Sequence, residues 1–158
     1  MKGRRCVMAA IEISLHHEPF FPLALLGQWE ETLPASVDAL PAATASFVGR
    51  VRGRDGNGEA LVALELEHYP GMTEAQIQRF AEEVLQKHQA LAVRVAHRVG
   101  RAARGEALVL VAVAADRRGP AQRGCHELLE ALKHDAPFWK KELRADGTGL
   151  WVQGNTPH

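Results

Sequence analysis

The spacing of apolar and polar positions predicts a mixed chain of strands and helices. Ala9 to Ile13 reads as a short first strand, followed by a loop that carries His16 and His17. Pro22 to Glu31 is a helix candidate, and Leu33 to Pro41 is turn-rich. In Ser46–Arg52, Phe47, Gly49 and Val51 fall on one face of a strand while Val48, Arg50 and Arg52 share the other. Asp55-Gly56-Asn57-Gly58 then signals a hairpin, because Gly and Asn accept the positive φ of tight turns, and the return strand covers Ala60 to His68. Thr73 with Gln76 reads as a capping box that opens a helix running to about Gln89, with Ile77, Phe80, Ala81, Val84 and Leu85 on its apolar stripe.

Further along, Leu91, Val93, Val95, His97 and Val99 alternate with Ala92, Arg94, Ala96 and Arg98, which predicts a strand buried on one face. Gly100 to Gly105 reads as a turn. Ala107 to Ala115 is almost wholly apolar, the mark of a central strand covered on both sides. Gly119-Pro120 opens another helix whose apolar side is Leu128, Leu129 and Leu132, and Pro137 stops it near Asp135. Phe138 to Arg144 and Gly149 to Gln153 form a last hairpin around Asp146-Gly147. The order describes one α+β domain with a mixed or antiparallel sheet and two main helices.

Composition narrows the function classes. The 158 residues balance 19 basic against 19 acidic side chains, which argues against a polyanion as the main partner. Cys6 and Cys125 cannot build a disulfide framework, and no apolar run is long enough to span a bilayer, so a cytoplasmic setting is expected. Of the basic residues 14 are Arg and five are Lys, yet Lys133, Lys140 and Lys141 fall close together. An amine walled by apolar groups and flanked by another cation can shed its proton and act as base or nucleophile. The plainer alternative is a lysine favoured by a helix C-terminus beside a strand lysine facing water. Arg117 and Arg118, between the central strand and the next helix, form either an anion site or a solvated turn, and Arg50 and Arg52 form either an anion clamp or edge-strand charges. The eight histidines lack zinc-ligand spacing, so no metal is expected, and His97 reads as a core histidine.

Two longer segments carry a resemblance. Glu67-His68-Tyr69-Pro70-Gly71-Met72 and Lys133-x-x-Ala136-Pro137-Phe138-Trp139-Lys140-Lys141-Glu142 together closely resemble the large, catalytic subunit of molybdopterin synthase. Gly49-Arg50-Val51-Arg52 and His97-Arg98-Val99-Gly100 add to a match that covers Ala43 to Val152. The resemblance implies an α/β-hammerhead type of α+β fold over residues 11–153, an N-terminal extension over 1–10 that need not be ordered, and a C-terminal tail over 154–158. It implies a sulfurtransferase of molybdenum cofactor biosynthesis, a homodimer with one small ubiquitin-like sulfur carrier on each protomer. The carrier's C-terminal Gly-Gly thiocarboxylate would deliver two sulfurs to cyclic pyranopterin monophosphate, forming the dithiolene, with no cofactor or metal from this chain. By motif position Lys133 and Lys140 would be catalytic, while Arg50, Val51, Arg52, Arg117, Arg118, Lys141 and Glu142 would join them in binding substrate. Arg117 stands where the family usually has His, and Arg cannot shuttle a proton as His can. A non-catalytic module that binds a ubiquitin-like carrier is therefore the alternative function.

Overall fold

The computed structural model describes residues 10–33 and 40–152. Eight strands and three helices follow one another as β1 (Ala10–His16), α1 (Pro22–Glu31), β2 (Ala43–Arg50), β3 (Leu61–His68), α2 (Met72–His88), β4 (Ala92–Arg98), β5 (Gly100–Ala103), β6 (Ala107–Ala115), α3 (Arg118–His134), β7 (Phe138–Arg144) and β8 (Gly149–Trp151). The strands form two four-stranded sheets, ordered β1-β4-β6-β2 and β5-β3-β7-β8. Only the β1–β4 pair is parallel among the ladders described. The α+β expectation holds, with α1 as a third helix beside the two long ones. Residues 1–9 of the extension expected over 1–10, most of the turn-rich stretch and the tail over 154–158 lie outside the described residues, while Ala10 already belongs to β1.

The larger sheet forms around β6, whose apolar run leaves no face for water. Val109, Val111 and Val113 meet α2 and α3 through Ile77, Val84, Cys125 and Leu128. On the opposite side Ala92, Ala112 and Ala114 are small enough to receive the Trp29 ring of α1. Covering both faces corrects the one-sided reading of β4: every residue from Ala92 to Arg98 is buried. Arg94 and Arg98 survive there because their guanidinium groups donate to carbonyls, Arg94 to Val95 at 2.7 Å and Arg98 to His16 and Val99 at 3.0 Å.

Four local expectations change. Gly100 to Ala103 is a strand, β5, because it pairs with β3 rather than closing a turn. The first strand extends through His16, whose ring then packs on Phe20 at 4.8 Å. Helix α2 is capped two residues earlier than expected: Gly71, at φ 82°, donates its N–H to the Glu74 carboxylate. Buried Thr73 instead accepts the Tyr69 N–H at 3.0 Å. Finally, β2 and β3 are joined by a tight tip, with an Arg54–Ala60 bridge, but they belong to different sheets. The chain leaves the larger sheet at Val51, whose N–H and carbonyl bond Glu106 and Gly105 at 3.0 and 2.8 Å. That crossing opens a seam between the sheets.

Candidate active site

A cavity of about 350 Å³ lies in that seam. One wall comes from the end of β2 and the strand-crossing residues, with Phe47, Val48, Gly49, Arg50, Val51 and Arg52; a second comes from β6 with Leu108 and Val109. Lys133 enters from the end of α3, and Lys140 and Glu142 from β7. The β2–β6 register slips between Gly49 and Arg50, so that Gly49 faces Val109 while Arg50 faces Ala107. Such a bulge bends a strand and redirects its side chains. Gly49 has no room for more: a Cβ there would stand 2.9 Å from the Val109 methyl and 3.1 Å from the Phe47 ring.

The electrostatics of the cavity are one-sided. Arg50, Arg52, Lys133 and Lys140 line it with Glu142 as the one acidic side chain. Lys133 is exposed on one side and holds its ammonium 5.7 Å from the Phe47 ring centre, within cation–π range. Lys140 is more enclosed. Burial, then the charges of Lys133 and Arg52, pull its pKa below the ordinary lysine value, because each disfavours the protonated amine. A cavity with fixed guanidinium groups and one amine of lowered pKa can bind an anion and also accept a proton or attack a carbonyl carbon.

Of the nine residues expected in the site, six are brought together here: Arg50, Val51, Arg52, Lys133, Lys140 and Glu142. Lys141 is not among them. Strand alternation turns it to the other face of β7, where its ammonium lies 5.5 Å from the Trp151 ring centre. Arg117 and Arg118 also stand apart. Arg117 is exposed beside Asp116, and Arg118 starts α3, fifteen residues before Lys133 and therefore about 22 Å away along the axis. The apolar wall, notably Leu61, Leu64, Leu108 and Val109, was not singled out from sequence, since these residues read there simply as strand core. Among the described residues no group of His, Cys, Asp and Glu has the geometry to hold a metal.

Comparison with known proteins assigns the lineage. A family model described as MoaE protein matches residues 30–135, two thirds of the chain. The chain belongs to the MoaE family. One relative of this family member, the molybdopterin synthase catalytic subunit of Ralstonia nicotianae, is 44% identical over 111 residues, which are 70% of this chain and 61% of that protein. The matched part thus spans less than two thirds of that relative's length. The solved MoaE protein of Burkholderia ambifaria is 36% identical, superposes with a TM-score of 0.72 and covers 96% of this chain and 93% of its own. A complex of subunits 1 and 2 of the molybdopterin-converting factor of Helicobacter pylori contains a chain of the same fold, with a TM-score of 0.73 at 20% identity, covering 89% of this chain and 90% of that one. No helix among the described residues of this MoaE family member is long and apolar enough to cross a membrane.

Proposed function

We propose that this chain is the sulfur-transferring subunit of a molybdopterin synthase, acting in the cytoplasm as a homodimer with one small sulfur carrier per protomer. The reading joins the relatives' common name, a catalytic subunit of that enzyme, to the chemistry of the cavity. The observation that carries it is the enclosed Lys140 amine, flanked by Lys133 and Arg52 in a cationic, apolar-walled pocket. Cyclic pyranopterin monophosphate brings a phosphate, which the forked donors of Arg50 and Arg52 suit. The carrier brings a C-terminal thiocarboxylate, a second anion that the same field attracts.

The chemical roles follow from charge and proton affinity. Once the carrier's sulfur has bonded to the substrate, fixed cations stabilise the oxyanion that develops when water or an amine adds to the acyl carbon, and its collapse breaks the acyl C–S bond and leaves the sulfur on the substrate as a thiolate. Lys140, with its lowered pKa, is the group suited to take the proton of the attacking water or to attack the acyl carbon itself and displace the substrate-bound sulfur, and Lys133 lowers its proton affinity by like charge. Sulfur arrives on the partner, so buried Cys125, whose thiol is pushed up to about 11 by burial, has no part in the transfer. Arg117 and Arg118 can serve only a pocket other than that of their own protomer, and Arg117 in place of His leaves proton movement to the lysines. Reconstitution with thiocarboxylated carrier and cyclic pyranopterin monophosphate tests the reading. Dithiolene product is expected from the wild-type chain and not from Lys133→Ala or Lys140→Ala. Carrier binding without product from the wild type would instead favour the non-catalytic module.

A further inference from the structure

The pocket accounts for Lys140 but not for the group behind it. His97 closes β4 on the face shared with Val93 and Val95 and is 4% exposed. Its ring lies flat on Phe138, with centroids 4.1 Å apart and planes 13° from parallel. The ring cannot rotate freely, because Nδ1–H donates to the Arg98 carbonyl at 2.7 Å. Phe138 is two residues before Lys140 on the same face of β7, and it pairs with His68 across the β3–β7 ladder.

Other contacts converge on the same short segment. The buried Thr73 hydroxyl donates to the Pro137 carbonyl at 3.3 Å, and the Tyr69 ring meets Trp139 edge-on at 4.8 Å. Between them, residues 135–137 are all that connects Lys133 on α3 to β7. The rim contacts at Trp139 are exposed, whereas in the His97–Phe138 stack His97 is buried and Phe138, partly buried, packs against the larger sheet's core. We propose that His97 is a positioning residue: its stack on Phe138 anchors the start of β7 to β4 and so sets where the Lys140 amine stands relative to Lys133. This inference rests on the sulfur-transfer reading only for the activity it affects. Burial holds the imidazole neutral down to about pH 4, so it adds no charge beside Lys140 under working conditions. The ring acts by shape. A flat aromatic ring stacked on Phe138 is what the geometry requires.

The experiment compares His97→Phe, which keeps an aromatic ring, with His97→Val, which keeps an apolar strand residue but no ring. Phe138→Leu removes the stack from the other side. In each folded variant, the Lys140 amine is titrated by trace acetylation with acetic anhydride over a pH series, read by mass spectrometry, alongside single-turnover transfer. We expect His97→Val and Phe138→Leu to move the Lys140 labelling midpoint upward and to slow transfer at saturating substrate by roughly tenfold to a hundredfold, the scale of a sub-ångström to ångström misplacement. KM should change little, and His97→Phe should restore both readouts. Wild-type midpoints in His97→Val or Phe138→Leu, or a His97→Phe chain that behaves like His97→Val, would overturn the proposal. Should His97→Val not fold, Phe138→Leu and His97→Phe decide. A wild-type chain inactive in transfer would defeat the functional reading, while the labelling series would still judge the positioning claim.

Discussion

The sheet built around β6 and the smaller sheet built around β7 use the same strand geometry for different ends. In the first, β4 and β6 are buried along almost their whole length, with Val, Ala and Leu against helices on both faces. In the second, β7 is half-buried and follows two aromatic residues with a mostly charged run, Lys140 to Arg144, and β8 leaves Leu150 and Trp151 exposed. The first sheet carries the large helix-covered core, while the second has a smaller buried cluster of Val51, Leu64, Leu66 and Ala102. The second can afford lysines at fixed positions because the first holds it in place. The cavity sits where the two meet, so it borrows rigidity from one side and charge from the other.

Substitutions should separate the two roles, most sharply in the core. Leu128→Ala, fully buried under α2 and β6, should lose about 2–5 kcal/mol of stability, whereas Leu150→Ala on exposed β8 should change it by less than about 0.5 kcal/mol. Equal losses in denaturant titrations would contradict the division. An acid titration comes next. Burial lowers the His97 pKa from 6.5 to about 4, so the unfolded chain takes up this proton first as pH falls. Its contribution is therefore complete above pH 6.5 and is lost progressively down to about pH 4, a sum of roughly 3 kcal/mol. In His97→Phe the slope of stability against pH should flatten in that window, and an unchanged slope would place the acid sensitivity elsewhere.

Two smaller effects probe the seam itself. Gly49→Ala forces a methyl against Val109 and Phe47, both of which line the cavity, and should cost about 1–3 kcal/mol while raising KM. A variant as stable as wild type would mean that the two neighbours can yield. Arg52→Gln removes one of the charges that lower the Lys140 pKa, so the Lys140 acetylation midpoint should move to higher pH. A downward shift would show that Arg52 does not act on the amine by charge.

Much of this arrangement is legible in the amino-acid order, and the gaps have physical causes. The apolar run Ala107–Ala115, the Leu stripe of α3 and the Pro137 stop are local patterns, and each element stands where its pattern puts it. The last hairpin is equally local, with Asp146 accepting the Thr148 N–H at 2.8 Å. Pairing between distant strands is not local. The turn at Asp55–Gly58 marks a reversal, but nothing in those residues says that β2 pairs with β6 and β3 with β7. Likewise β5 exists because β3 offers it an edge. The two lysines were visible as rare residues in an Arg-rich chain, and period-two alternation could have excluded Lys141 from their face. The placement of Arg117 and Arg118 at the far end of α3 follows from helix rise alone. By contrast, His97 reads as an ordinary core residue until its partner, Phe138, forty-one positions later, is seen against it.

The central claim is that Lys133 and Lys140, held at the seam by the larger sheet, perform the transfer. The most direct measurement is dithiolene formation in the reconstituted system, run with wild type, Lys133→Ala and Lys140→Ala beside a carrier-binding assay. Product from the wild type alone, with all three chains folded and binding the carrier, is the expected result. Full activity in both variants would contradict the assignment.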